Sequence, residues 1–305
     1  MRVEVLLTEN QLAEQFEKAF LARNLPEKFF YWFPLSVKAW LDLCRDGAYR
    51  NFLRSYRLIS DYATEIVSRL PAEIDFFSLG CGQGNKDAIL LQNATASGRQ
   101  VLYTPVDSSQ ALLEMACLEA ISAGLSYQAW KADVTNQEHL QSIPRGAYSR
   151  LFLVLGNTLG AFEPADFCRS LRALSQPGDL LLVDGEIQSA ETIAGYDNPT
   201  NRRFAFAPLA GIGISEQDGK LVFESKEDRA GLHYLTKHFL AMRDMRVILA
   251  GNTIDVVRGE KLEMNFSCKY TRQVFLDLIA AEADFRPLCD FLSEDKKFLM
   301  VLAAR

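Results

Sequence analysis

Apolar positions recur along the chain with two different spacings, and the change between them divides it. Leu12, Phe16, Ala19 and Phe20 stand at helical spacing behind Thr8 and Gln11, a T-x-x-Q pair that can close a capping box. An amphipathic helix is predicted from about residue 10 to 23, ended by Pro26. Leu25–Phe33 is dense in aromatic residues and reads as a packed core segment. A second long helix is predicted over 50–70, stopping before Pro71.

From residue 74 the helical spacing gives way to short, unbroken apolar runs, the pattern of strands buried on both faces. Strands are predicted at Ile74–Leu79, Val101–Val106, Tyr127–Lys131, Leu151–Leu155 and Leu180–Val183. Helices are predicted from Asn85, over Ser109–Ser122 and over Pro164–Leu174, and Pro177-Gly178 makes a turn. This alternation implies an α/β fold: a parallel sheet, helices on both faces, right-handed crossovers. It breaks down after Glu186. Residues 191–283 read as mixed α+β, with antiparallel strands at Lys220–Glu224, His233–Met242 and Met245–Leu249 and turns at Gly251 and Gly259. Phe298–Ala304 is an apolar strand able to rejoin the first sheet. Two units follow: residues 55–190 plus 284–305, and residues 1–54 plus 191–283.

The chain has 305 residues, ordinary for two such units, and a net charge of −6, which argues against nucleic acid as a partner. No apolar run approaches the roughly 18 residues of a membrane helix. Met1–Asn10 lacks the pattern of a signal peptide. Six cysteines include no C-x-x-C pair, and the expectation is reduced thiols in a cytoplasmic protein. His139, His233 and His238 show no metal-binding spacing, so no metal is expected.

The candidate chemistry gathers at the strand ends. Gly80-x-Gly82-x-Gly84 lies between a strand and a helix, where glycines permit a tight turn and close approach of a ligand. It lacks the G-K-[ST] ending of a nucleotide-triphosphate loop. Asp107, followed by Ser108, ends the second strand, where a carboxylate can accept from ribose hydroxyls. Asp133 and Val134 follow the third strand and suit an adenine. Gly156 and Asn157 follow the fourth and suit the reactive end of a cofactor. NAD and S-adenosylmethionine (SAM) both fit this constellation. The lack of a Tyr-x-x-x-Lys arrangement disfavours a dehydrogenase.

Several stretches together resemble the histidine-specific, SAM-dependent N-alpha-methyltransferases of ergothioneine biosynthesis. They are Leu25-Pro-Glu-Lys-Phe-Phe-Tyr31, Leu79-Gly-Cys-Gly-Gln-Gly-Asn-Lys86, Pro105-Val-Asp107, Leu155-Gly-Asn-Thr-Leu-Gly-Ala-Phe162, Pro177-Gly-Asp179, Tyr196-Asp-Asn-Pro199 and Ser267-Cys-Lys-Tyr270. The resemblance implies a Rossmann-like class I methyltransferase sheet with a second, mixed α+β substrate domain, and a monomer. It implies SAM held by Gly80, Lys86 (methionine carboxylate), Asp107 (ribose), and Asp133 and Val134 (adenine); Gly82, Gly84, Ser108, Gly156 and Asn157 complete the expected cofactor site. It implies a substrate site of Tyr31, Tyr49, Ala161, Tyr196, Asn265 and Ser267, with Tyr49 and Tyr196 as candidate catalytic residues that orient the acceptor or take its proton through water.

Two positions depart from the family. Its Asn at the end of the glycine loop is Ala161 here, and its Glu two residues before the Ser is Asn265. Glu263 would share a face with Asn265 and Ser267 in a regular strand, and is the candidate replacement carboxylate. A polar site that loses its partners discriminates against its old ligand. The expectation is therefore methylation of a small amine or amino-acid-like molecule, with histidine itself disfavoured. The alternatives are a non-catalytic SAM-binding homologue and an NAD-dependent dehydrogenase.

Overall fold

The computed structural model describes residues 1–47, 49–189, 195–228 and 230–305. Of the two expected units, residues 48, 190–194 and 229 lie outside these.

The chain begins with β1 (Val3–Val5) and α1 (Glu9–Leu21), whose Thr8/Gln11 capping box is formed as predicted. A 3₁₀ turn (Glu27–Tyr31) carries the aromatic segment into α2 (Pro34–Arg45), and α3 (Arg50–Ser68) follows. The predicted alternation then appears as β2 (Glu73–Leu79), α4 (Asn85–Ala96), β3 (Gln100–Asp107), α5 (Gln110–Ser122), β4 (Ala129–Lys131), α6 (Gln137–Ser142), β5 (Ser149–Val154), α7 (Pro164–Leu174) and β6 (Leu180–Glu186). The rest is α8 (Pro199–Ala210), β7 (Gly219–Glu227), β8 (His233–Ala241), β9 (Met245–Leu249), β10 (Asn252–Val256), β11 (Lys261–Lys269), α9 (Arg272–Ala281), β12 (Arg286–Leu292) and β13 (Phe298–Ala304).

The large sheet has eight strands in the order β1-β4-β3-β2-β5-β6-β13-β12. All run parallel except β13, which lies antiparallel between β6 and β12. Each apolar run divides its side chains between the two faces. In β5, Leu151 and Leu153 join a core under α3, α4 and α5, while Phe152 and Val154 join a second core under α6, α7 and α9. This two-sided burial is why the runs are unbroken.

A second layer is built from β7, β8 and β11, paired antiparallel, and the β9–β10 hairpin. A third core joins these to α1, the 3₁₀ turn, α2 and α8. Relative to a boundary at residues 54/55, β1 adds an edge strand to the large sheet and α3 runs continuously through the boundary. Relative to one at 283/284, α9 packs on the large sheet as the crossover to β12. A single bulge in β11, between Glu263 and Phe266, decides what faces the site.

Candidate active site

A cleft of about 1270 Å³, counted out to its mouth, opens over the carboxyl ends of the large sheet and is roofed by α2, α8, β8 and β11. Its lining holds every site residue expected from the sequence except Glu263.

The sheet side begins at the β2–α4 turn. Gly80, Gly82 and Gly84 have φ of +70°, +55° and +77°, the left-handed region that glycine enters without strain. A Cβ on Gly84 would lie 2.8 Å from Ala116 Cα, so the turn presses directly on α5. The Gly80 and Cys81 amides donate to Val106 O at 2.9 and 3.2 Å. The Gly82 amide donates to Asp107 Oδ2 at 2.9 Å, and the Ser109 amide to Oδ1 at 2.8 Å. Burial pushes the Asp107 carboxyl up to about 6, against the amides of Ser109, Gly82 and Ser108, which favour its charge. With three amides bound, the carboxylate keeps one lone pair for a donor at the cleft wall. Lys86, in the first turn of α4, lies 5.6 Å over the Phe52 ring and against Gly156, where an added Cβ would overlap its ammonium. Its Nζ has no hydrogen bond or ion pair among the described residues and is open to an anion in the cleft.

Asp133 and Val134 line the cleft beside Lys28 of the aromatic segment. Lys28 donates to Asp133 Oδ2 at 2.6 Å and to Gln15 Oε1 at 2.6 Å, while Thr135 donates twice to Oδ1. Burial opposes the Asp133 charge, but Lys28 and Thr135 outweigh it and hold the carboxyl below its ordinary value. One lone pair on Oδ2 remains open to a donor in the cleft.

The opposite wall rests on a buried polar network. Gly156 (φ +83°) and Asn157 (φ +63°) turn the chain back under the cleft. Asn157 accepts from the Glu186 amide at 3.0 Å and donates to Ser267 Oγ at 3.1 Å, and its own amide donates to Asp184 at 2.7 Å. Asn157 is therefore engaged by the scaffold and does not replace the side chain that Ala161 lacks. Gly160 is required because a Cβ there would lie 2.5 Å from Asn157 Nδ2. Lys269 Nζ reaches Glu186 Oε2 at 2.5 Å, Ser267 Oγ at 2.6 Å and Tyr196 OH at 2.5 Å, and Asn51 donates to both Glu186 and Tyr196. Tyr49 packs edge-on against Tyr196, centroids 6.1 Å apart. Burial first, then the Glu186 charge, pushes both phenols far above their ordinary value. Both stay protonated and can orient a ligand, but neither is a ready proton acceptor.

The expectation for Glu263 is corrected. The bulge breaks the alternation that would have placed it beside Asn265, and Glu263 is exposed, its backbone strapped to Arg23 and Leu25 at 2.8 Å. The carboxylate at this end of the cleft is Glu27. It accepts from Tyr31 OH at 2.7 Å on Oε1 and from the Asn265 side-chain amide on Oε2. Glu27 lies inside the Leu25–Tyr31 motif, yet its local sequence shows only packing. Lys237 was also missed, although a lysine among Leu235, Phe239 and Ala241 on the inward parity of a strand is itself a signal. Trp40 and Phe204 complete an aromatic wall, their rings 5.5 Å apart.

Among the described residues no cluster of three or more His, Cys, Asp or Glu could hold a metal, and no helix is long and apolar enough to cross a membrane.

The sequence matches the family described as histidine-specific methyltransferase, SAM-dependent, over residues 8–305. No curated protein matches it in sequence. Among solved structures, an S-adenosylmethionine-dependent methyltransferase from Clostridium acetobutylicum is 15% identical, covering 84% of this chain and 95% of that one, with a TM-score of 0.45. The CcbJ methyltransferase of Streptomyces caelestis is 16% identical over 81% and 95%, with a TM-score of 0.42. The Burkholderia thailandensis 1,6-didemethyltoxoflavin-N1-methyltransferase, with bound 1,6-didemethyltoxoflavin and S-adenosylhomocysteine, is 12% identical over 95% and 89%, with a TM-score of 0.46.

Proposed function

Because the chain belongs to the histidine-specific, SAM-dependent methyltransferase family, we propose that it methylates the nitrogen of a small amine or amino-acid-like molecule, and that histidine is not its preferred acceptor. It is a Rossmann-like SAM-dependent methyltransferase, which sets aside the dehydrogenase alternative.

The cofactor supplies an electrophilic methyl group on a sulfonium. The residues present fit it: Asp107 keeps a lone pair for the ribose, and Lys86, with no hydrogen bond or ion pair among the described residues, offers an ammonium to the methionine carboxylate. Gly80, Gly82 and Gly84 put no side chain into this part of the wall.

The chain's own part in such a displacement is to position a lone pair and exclude water. The Tyr196 and Ser267 hydroxyls are locked in place by Lys269, Glu186 and Asn51, and Tyr49 packs edge-on against Tyr196. An amine must be neutral to attack. Desolvation in this aromatic cleft, beside a cationic sulfonium, lowers its pKa without a dedicated base.

The reading against histidine is carried by one observation. The end of the cleft that grips the imidazole in the family holds Glu27 braced by Asn265, with the Lys237 ammonium nearby, rather than a lone carboxylate. A carboxylate whose oxygens already accept from Tyr31 and Asn265, with an ammonium nearby, holds a protonatable ring less well than a lone negative charge.

The test uses purified protein. S-adenosylhomocysteine at about 100 times its Kd should stabilise it by about 2.7 kcal/mol. Labelled SAM with a panel of amines and amino acids, read by mass spectrometry, should yield N-methylated products. Histidine as the best acceptor overturns the substrate reading. Cofactor binding with no turnover across the panel favours a non-catalytic homologue.

A further inference from the structure

Lys237 occupies an inward position of β8, on the face it shares with Leu235, Phe239 and Ala241. It is only 6% exposed, and it lines the cleft beside Glu27, Asn265 and Phe266. On β11 the register passes from Phe266, opposite Thr236, to Glu263, opposite His238. The bulged residues Met264 and Asn265 therefore face Lys237. Its ammonium stands 5.5 Å over the Phe30 ring, and among the described residues it has no hydrogen bond and no ion pair.

A buried ammonium without a partner carries a large desolvation cost. Burial draws Lys237 down to about 8, with Glu27 acting upward and Lys269 further downward. Glu27 is near enough to be felt, but not paired. Its two oxygens already accept from Tyr31 and Asn265. The cavity thus offers an ammonium with three donors at the acceptor end, beside Glu27, Asn265 and Phe266.

We propose that Lys237 determines acceptor specificity by pairing with a carboxylate of the methyl acceptor. The acceptor is then an amino acid-type molecule with an acid at the end that rests against Glu27 and Asn265. A carboxylate suits the site better than a phosphate. A single ammonium beside the Glu27 carboxylate favours a monoanion over a dianion. The proposal rests on the reading of this cleft as the methyl-acceptor site.

The experiment measures binding by calorimetry to full-length protein saturated with S-adenosylhomocysteine, using matched acids and amides as probes. The pairs are 4-aminobenzoate with 4-aminobenzamide, anthranilate with 2-aminobenzamide, and indole-3-acetate with indole-3-acetamide. At least one acid should bind 10-fold or more tightly than its amide. Lys237→Met should abolish that preference with S-adenosylhomocysteine affinity unchanged, and Lys237→Arg should keep most of it. No acid outbinding its amide in the wild-type protein overturns the proposal, as does a preference that survives Lys237→Met. If Lys237→Met fails to fold, Lys237→Gln replaces it, and the wild-type comparison decides in any case. Failure of the wild-type protein to bind S-adenosylhomocysteine counts against the cofactor reading instead, and the probe pairs are then compared on the free protein.

Discussion

The Lys269 ammonium lies 2.5 Å from Glu186 Oε2, both residues buried, in a network that also holds Tyr196, Ser267 and Asn51. The pair ties β11 of the small sheet to β6 of the large one, so the two walls of the cleft share one anchor. Lys269→Met leaves the Glu186 carboxylate without its cation in a dry site. Its expected cost is about 3–5 kcal/mol, read by urea unfolding. Lys269→Met combined with Glu186→Gln should recover a substantial part of that loss. An unchanged midpoint in the single variant would show that the pair contributes nothing.

If Asp107 accepts from the ribose as proposed, cofactor affinity is tied to pH. The Asp107 carboxyl titrates at about 6 in the free protein because burial disfavours the charge. Ribose hydroxyls need the ionised acceptor, so S-adenosylhomocysteine affinity should be flat above pH 6 and fall up to tenfold per unit below it. The free protein behaves in the opposite sense. Its folded value lies above the ordinary carboxylate value, so the charged form lowers stability at neutral pH, and this penalty fades as pH falls through 6 towards about 4. Asp107→Ala should remove the pH step and weaken binding by roughly 10- to 100-fold. A step near pH 6 that persists in Asp107→Ala belongs to another group.

Gly156 and Lys86 are mutually constrained. Gly156 has φ +83°, and a Cβ there would displace the Lys86 ammonium. Gly156→Ala should cost about 1–2 kcal/mol of stability from backbone strain. It should also raise the KM for SAM, because the displaced ammonium no longer meets the methionine carboxylate. Lys86→Met should reproduce the KM effect without the stability loss. A stability loss with unaltered KM would separate Lys86 from cofactor binding.

Much of this was legible in the chain. Unbroken apolar runs such as Leu151–Val154 and Leu180–Val183 marked a sheet covered on both faces, and Thr8 with Gln11 marked the first helix. The sheet's first edge, Val3–Val5, is three residues long and half-exposed, and carries too little pattern to be seen. Glu263 was misplaced because a bulge inverts side-chain parity, and strand periodicity cannot locate a bulge. Glu27 meets Asn265 across 238 positions of sequence, a relationship that only the packed structure creates. Lys237 was readable in principle, since a charge on the inward parity of an apolar strand needs a partner.

The substrate argument can be put to a gain-of-function test. If histidine is disfavoured because Ala161 and Asn265 replace an Asn and a Glu, restoring both should bring histidine methylation up. Asn265→Glu alone is a poor test. The new carboxylate would sit against Glu27, and two like charges in a buried site push one of them to remain protonated. Glu27→Gln must accompany it, so that the amide can donate to the new carboxylate and the site carries one negative charge. The triple variant Ala161→Asn, Asn265→Glu, Glu27→Gln should raise kcat/KM for histidine by about 10-fold or more, as expected from about 1.4 kcal/mol or more of regained polar contacts. Kinetics with labelled SAM measure it directly. If the wild-type enzyme already methylates histidine faster than the triple variant, Glu27 braced by Asn265 is a working substitute for the family's glutamate, and the altered positions preserve the old specificity by a different route.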